Sequence, residues 1–316
     1  MNERRSTQTA SETKTMSAVR LVSARGVDGL VLEQVPIPRP GSDEALVRVH
    51  AAAITRDELD WPVDRLPAIP SYELSGVIAA LGSTVLDLHI GDAVWALTGF
   101  DRDGAAADYT LVPASRLAPK PHTLGHRESA AIPLAGLSAW QGLFEHGRLQ
   151  PGERVVIHGA AGGVGSFATQ LARWRGAYVI GTVSSSAAVE EIRALGADEV
   201  VDRTRVPFEE AIAPVDLVFD TVGGEALARS GAVLRDGGRL VSVAEEPPVV
   251  GEKVQATYFV VEPSREQLIE LARLVDEGAI RPAIDSDFPL AEARAAFERV
   301  MKPGKRGKVL LRVVAD

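Results

Sequence analysis

The sequence predicts an α/β protein in two parts, a compact barrel-like β domain and a doubly wound parallel sheet. Three observations predict it. A glycine-rich turn sits between a strand and a helix at 154–173, strands and helices alternate from Arg154 onward, and short strands separated by glycine crowd the stretch 18–120.

The glycine turn organises the chain. Arg154–His158 (RVVIH) is a short β-branched run suited to a buried parallel strand. Val164, Phe167, Ala168, Leu171 and Ala172 then recur at helical spacing. Strand, tight turn and helix in that order form the phosphate-binding unit of a dinucleotide fold. Ala160 takes the first glycine place of the fingerprint, and Gly162 and Gly165 take the next two; Gly159, Gly163 and Val164 complete the turn. Small residues let the backbone turn sharply and approach a pyrophosphate, whose charge meets the free N–H groups and positive end of the helix.

The alternation that follows supplies the rest of the sheet. Strands are expected at Tyr178–Val183, Glu199–Asp202, Asp216–Asp220, Arg239–Val243 and near Ala256–Val261, with helices at Val164–Arg173, Ala187–Leu195 and Gly224–Leu234. Ser264–Glu277 reads as an amphipathic helix capped by Ser264. A further helix, Leu290–Met301, and a terminal strand, Lys308–Val313, have no place in that sheet and are expected to return to the first domain.

Before the turn, Ala18–Gln34, Glu44–Ala53, Tyr72–Leu81, Ala93–Leu97 and Ala107–Val112 read as β-segments, the first two separated by the proline-rich Val35–Gly41. Pro113–Pro121 reads as a linker and Ser129–Glu145 as one helix. Residues 1–17 are polar and are expected to form a disordered tail. The expected domains are therefore 18–120 with 285–316, and 121–284.

Composition bounds the function. A length of 316 residues allows about two domains. A net charge of -9 argues against nucleic acid as partner, since phosphate binding needs clustered Lys and Arg. No apolar run is long enough for a membrane span, and the N-terminus lacks the order of a signal peptide, so a soluble cytoplasmic protein is expected. With no cysteine there is neither disulfide nor thiolate zinc site. His122 and His126 stand four apart without a third ligand and are expected to be solvated loop residues.

The motifs HGAAGGVGSFATQLAR, AAIPLAGLSAWQGLF, FDTVGG and GKRGKVLLRV together resemble the zinc-free quinone oxidoreductase branch of the medium-chain dehydrogenases/reductases, relatives of zeta-crystallin, across nearly the whole chain. The resemblance implies a GroES-like catalytic domain split around a Rossmann domain, with hydride transfer from a nicotinamide in the cleft between them. It also implies a homodimer. In zinc-dependent members of the superfamily the ligand places correspond to Ile54, Tyr72 and Leu134, and two of these cannot bind zinc. The zinc-free branch usually has Asn-Pro where Ile54-Thr55 stands, and a longer loop where Glu58–Pro70 offers Trp61.

Candidate site residues follow. Tyr72 is the candidate for polarising a substrate carbonyl, and Asp57 is a weaker candidate acid that competes with a helix-capping role. Ile54, Trp61 and Leu134 are expected to line a hydrophobic substrate pocket. By the resemblance, Phe259, Val261 and Val243 face the nicotinamide, Ser138 lies near the cofactor phosphates, Thr221-Val222-Gly223 touches the adenosine ribose, and Lys308 approaches the cofactor. An NAD-binding chain carries a carboxylate at the end of its second strand. Here that strand ends Gly181-Thr182-Val183-Ser184-Ser185-Ser186, so NADPH is expected, its 2′-phosphate held by the three serines and Arg203. The reading is an NADPH-dependent, zinc-independent reductase of a quinone or an α,β-unsaturated carbonyl, with water or Tyr72 giving the proton. Alternatives are an enoyl-thioester reductase, a zinc-free alcohol dehydrogenase, and a non-catalytic, crystallin-like NADPH-binding protein.

Overall fold

The computed structural model describes residues 14–248, 251 and 253–314. Of the expected tail, residues 1–13 lie outside the described residues, whereas Thr15, Met16 and Ser17 already belong to a strand, Thr15–Leu21. Met16, Ala18, Val19 and Leu21 are buried along it. It pairs antiparallel with Leu30–Pro36, so the single segment expected over 18–34 is a hairpin. Its turn, Gly26–Gly29, is a short 3-10 helix entered through the polar run Ser23-Ala24-Arg25.

Two larger sheets carry the architecture. In the first, the eleven-residue strand Glu44–Ile54 is shared between partners: Glu44–Arg48 face Tyr109–Pro113, and Ala51–Ile54 face Val309–Arg312. Glu73–Leu81 pairs along its other edge, followed by Ala93–Leu97 and Ala118–Pro119. The terminal strand Lys308–Arg312 thus returns to the first domain as expected. It brings with it Ile284–Pro289, a strand the sequence pattern did not mark. The expected linker 113–121 contains the two-residue strand Ala118–Pro119 and a 3-10 turn.

The second sheet is six-stranded and wholly parallel, in the order Glu199–Asp202, Tyr178–Val183, Arg154–His158, Val215–Asp220, Leu234–Ser242, Gln255–Tyr258. Numbered along the chain this is 3-2-1-4-5-6, the doubly wound order. Its ligand crevice lies outside the carboxyl ends of the strands where the order reverses, between Arg154–His158 and Val215–Asp220.

Helical segments differ from expectation mainly at breaks. The stretch 129–145 is three pieces: His126–Ala130, Pro133–Trp140 and a π-helical turn Gln141–His146. The first break falls just before Pro133, which has no N–H to continue the helical hydrogen-bond ladder. His126 therefore opens a helix, where it bonds Ser75 Oγ at 2.8 Å and lies 4.2 Å from the His50 ring; it is not a solvated loop residue. Ser264 caps Arg265–Asp276 as expected, its hydroxyl accepting from Gln267 N at 3.3 Å. Among the described residues no helix is long and apolar enough to cross a membrane.

Candidate active site

The glycine turn opens at the reversal point. Gly159 leaves the strand with φ 72, a conformation that L side chains rarely adopt. Gly162 caps the helix Gly163–Trp174, and a Cβ on Gly165 would stand 2.2 Å from the Gly159 carbonyl oxygen. That place therefore admits only glycine. Ala160, at the first glycine place, is fully buried and donates its N–H to Thr182 O at 3.1 Å. Across the crevice Thr221 Oγ1 donates to His158 O at 2.7 Å. Buried Asp220 fixes the 221–223 turn by accepting from Gly223 N at 3.0 Å and Ser242 Oγ at 3.0 Å. Burial raises its carboxyl above the usual range.

At the end of the second strand, Ser184, Ser185 and Ser186 are exposed. Arg203 follows the neighbouring strand, bonds Val183 O through its backbone N at 2.9 Å, and has a buried Nε without a hydrogen-bond partner. Arg203 and the three serines thus follow adjacent strands at the end where an NAD site would carry an acid.

The facing wall belongs to the first sheet. Tyr72 is fully buried beneath Trp61 and Phe100, with ring centroids at 5.7 and 5.4 Å, and Trp61 meets Phe100 edge-on at 4.9 Å. Arg65 donates to Tyr72 Oη at 3.0 Å and to the carbonyls of Phe100 and Arg102 at 3.1 and 2.6 Å. Burial pushes the phenol up to about 12, although Arg65 opposes the shift. Of the aromatic wall Trp61 is the most open to solvent, at 36% exposure, Phe100 is half-buried and Tyr72 is buried. Phe100 and Arg65 escaped sequence reasoning because they join the wall from distant or polar stretches.

The carboxylate facing inward is Glu58, not Asp57. Asp57 is exposed and forms no side-chain hydrogen bond among the described residues, whereas Glu58 is fully buried. Its two oxygens accept from Thr55 N at 2.8 Å and Ser71 N at 3.0 Å. Burial, countered in part by these N–H groups and by Lys308, raises it to about 8. Thr55-Arg56-Asp57-Glu58 has the Ser/Thr-x-x-Glu spacing of a capping box, a signal that points to Glu58.

Glu73 and Lys308 form a buried ion pair at 2.5 Å. Glu73 also accepts from Leu134 N at 2.8 Å, and Lys308 Nζ donates to Thr55 Oγ1 at 3.2 Å. The Lys308 stem lies against Gly163 at the start of the helix, and Gly307 N bonds Ala161 O at 3.1 Å. Lys308 therefore reaches from the glycine turn to the substrate-side wall.

Several other expected site residues are placed differently. Ile54 is a core residue packed with Leu59, Ile69 and Val309, and Leu134 is buried in the core of the second sheet, so neither forms an open pocket wall. Ser138 Oγ donates to Leu134 O at 2.7 Å within its own helix, which takes its hydrogen away from any phosphate. Phe259 and Val261 are buried, Phe259 stacking on His146 at 4.4 Å, while Tyr258 and Val260 are the exposed members of the segment. Alternation along an extended chain sends these pairs to opposite faces, Phe259 and Val261 toward the core. Val243 is half-buried at the strand end, its N–H bonded to Asp220 O at 3.1 Å.

Comparison with known proteins agrees with this geometry. The family model described as "Alcohol dehydrogenase GroES-like domain" matches residues 41–122, and "Zinc-binding dehydrogenase" matches 195–311. A "Probable zinc-binding oxidoreductase, mitochondrial" of Arthroderma benhamiae is 32% identical over 90% of this chain and 93% of its own. An "NADPH-dependent alkenal/one oxidoreductase, chloroplastic" of Arabidopsis thaliana is 32% identical over 96% and 81%. Among solved structures, a quinone oxidoreductase from Coxiella burnetii superposes with a TM-score of 0.88 at 31% identity, covering 95% of this chain and all of its own. The chain belongs to the medium-chain dehydrogenase/reductase family, and to its quinone oxidoreductase type.

The buried ion pair yields the first test. Replacing Lys308 by Met leaves the Glu73 carboxylate buried without its cation, a change that typically costs about 3–5 kcal/mol. Urea unfolding should show a loss on that scale for Lys308→Met; a loss below about 1 kcal/mol, the scale of a surface pair, would show that Glu73 is not held as an ion there.

Proposed function

We propose that this chain is an NADPH-dependent, zinc-independent reductase that passes hydride to a carbon–carbon double bond conjugated to a carbonyl, or to a quinone. The observation that carries the reading is the contrast between its two walls: the dinucleotide cradle is complete, while the three places that hold zinc in relatives are closed by other chemistry. Ile54 and Leu134 are buried hydrocarbons, and the Tyr72 oxygen is engaged by Arg65. This donor set does not fit zinc.

NADPH, when bound, supplies the hydride from its nicotinamide. The cradle residues Gly159, Gly162 and Gly165, with the first-turn N–H groups of the helix, suit its pyrophosphate. Ser184, Ser185, Ser186 and Arg203 suit a 2′-phosphate, to which Arg offers a charge-assisted bond. The relative named for alkenals and enones, and the structural neighbour named for quinones, support the acceptor class.

Charge development argues the same way. Reducing an isolated carbonyl concentrates negative charge on one oxygen, which calls for a metal or preorganised donors. A conjugated acceptor spreads that charge, and a flat apolar molecule suits a wall of Trp61 and Phe100. Tyr72 is enclosed and raised to about 12, so its role is to support that wall, and the proton comes from water. The homodimer implied by the resemblance is supported by the last strand of the parallel sheet, Gln255–Tyr258, where Gln255, Ala256 and Tyr258 are exposed.

Cofactor preference is tested by dissociation constants. NADPH should bind at least about tenfold tighter than NADH, a difference of roughly 1.4 kcal/mol, and Arg203→Ala should erase most of the gap. Equal affinities in the unmodified protein would overturn the assignment.

The reaction class is tested by NADPH oxidation against 2-enones, quinones and their saturated ketone counterparts, with and without a zinc chelator. Enones or quinones should turn over faster than saturated ketones, and the chelator should change nothing. Faster reduction of saturated ketones, or activity lost on chelation, would contradict the reading.

A further inference from the structure

In zinc-dependent relatives a single metal joins the segments that here carry Ile54, Tyr72 and Leu134. In this chain the same segments are joined by other means. Glu58 bonds both Thr55 N and Ser71 N, so one carboxyl ties the turn after Ile54 to the residue before Tyr72. Glu73, next to Tyr72, takes Leu134 N and the Lys308 ammonium, which also reaches Thr55.

We infer that Glu58 is a positioning residue for the substrate-side wall, a hydrogen-bonded cross-link that holds the 54–58 and 71–73 turns together in place of a metal. Three features support this. Ser71 adopts φ 70, a left-handed conformation uncommon for a residue with a side chain, and Glu58 holds its amide there while Ser71 Oγ donates to Ala53 O at 2.9 Å. That conformation fixes the direction in which Tyr72 enters the aromatic wall, and Trp61 rests on Tyr72. Finally, Glu58 is fully buried, so its two bonds are not exchanged for water.

The cross-link also carries a proton condition. The charged groups that act on Glu58 are Lys308 and Glu73, one cation and a second carboxylate. With Glu58 protonated the three groups are neutral together; once it ionises, at about 8, a net negative charge stands in the closed wall. Its acid is held above the ordinary value, so it contributes more stability at low pH, and that contribution falls as pH rises from about 4.5 toward 8.

The test uses the full chain and two variants, Glu58→Ala and Glu58→Gln, the second keeping the volume and one acceptor oxygen. Hydrogen exchange read by mass spectrometry should show the amides of Thr55 and Ser71 exchanging faster by about tenfold or more in Glu58→Ala, the scale of a lost bond to a carboxyl, and by less in Glu58→Gln. Peptides of the 154–174 unit should be unchanged. Turnover with the best acceptor should fall in Glu58→Ala while NADPH affinity holds. The decline in turnover above pH 8 should be present in the unmodified protein and absent from Glu58→Gln. Unchanged protection at Thr55 and Ser71 in both variants would overturn the inference, as would a loss spread evenly over all peptides. The exchange arm needs no turnover: if no acceptor is reduced, the functional reading fails and the cross-link is still decided.

Discussion

The buried pair of Glu73 and Lys308 is the contact on which the site depends. Lys308 opens the terminal strand, its stem lies on Gly163, and its ammonium meets Glu73 and Thr55. Burying an ammonium and a carboxylate is costly unless each finds its partner and its remaining hydrogen bonds. Here Glu73 also accepts from Leu134 N and Lys308 donates to Thr55 Oγ1, contacts that also fix the geometry. The cradle and the facing wall are therefore one connected structure, although they come from different sheets.

That connection explains how a chain with no cysteine and two hydrocarbons at metal positions keeps the family architecture. The GroES-like sheet needs its turns held against the dinucleotide fold. Hydrogen bonds from Glu58 and Glu73 to backbone N–H groups do so locally. Arg65 performs a similar service further out, joining Tyr72 to the carbonyls of Phe100 and Arg102.

What was legible in the sequence follows from how local each feature is. The glycine turn was legible because its conformation demands particular residues at fixed spacing, and the strand–helix alternation marked the sheet around it. The motif marked Lys308, but not its partner Glu73, since 235 positions separate them in a contact that only folding makes. Asp57 and Glu58 differ by one place, and hydropathy could not say which carboxyl turns inward. Which side chains of the 258–261 stretch turn inward was not legible for a related reason. The strand ends at Tyr258, and a shift of one residue exchanges the core face for the open one.

In the proposed reaction the cradle and the aromatic wall together deliver hydride to a conjugated acceptor. The most direct measurement supplies NADPH deuterated at C4 with a 2-enone and locates the label in the product by NMR. Deuterium should appear on the β-carbon, with a hydrogen from water on the α-carbon and the carbonyl intact. Deuterium on the carbonyl carbon, giving an allylic alcohol, would contradict it.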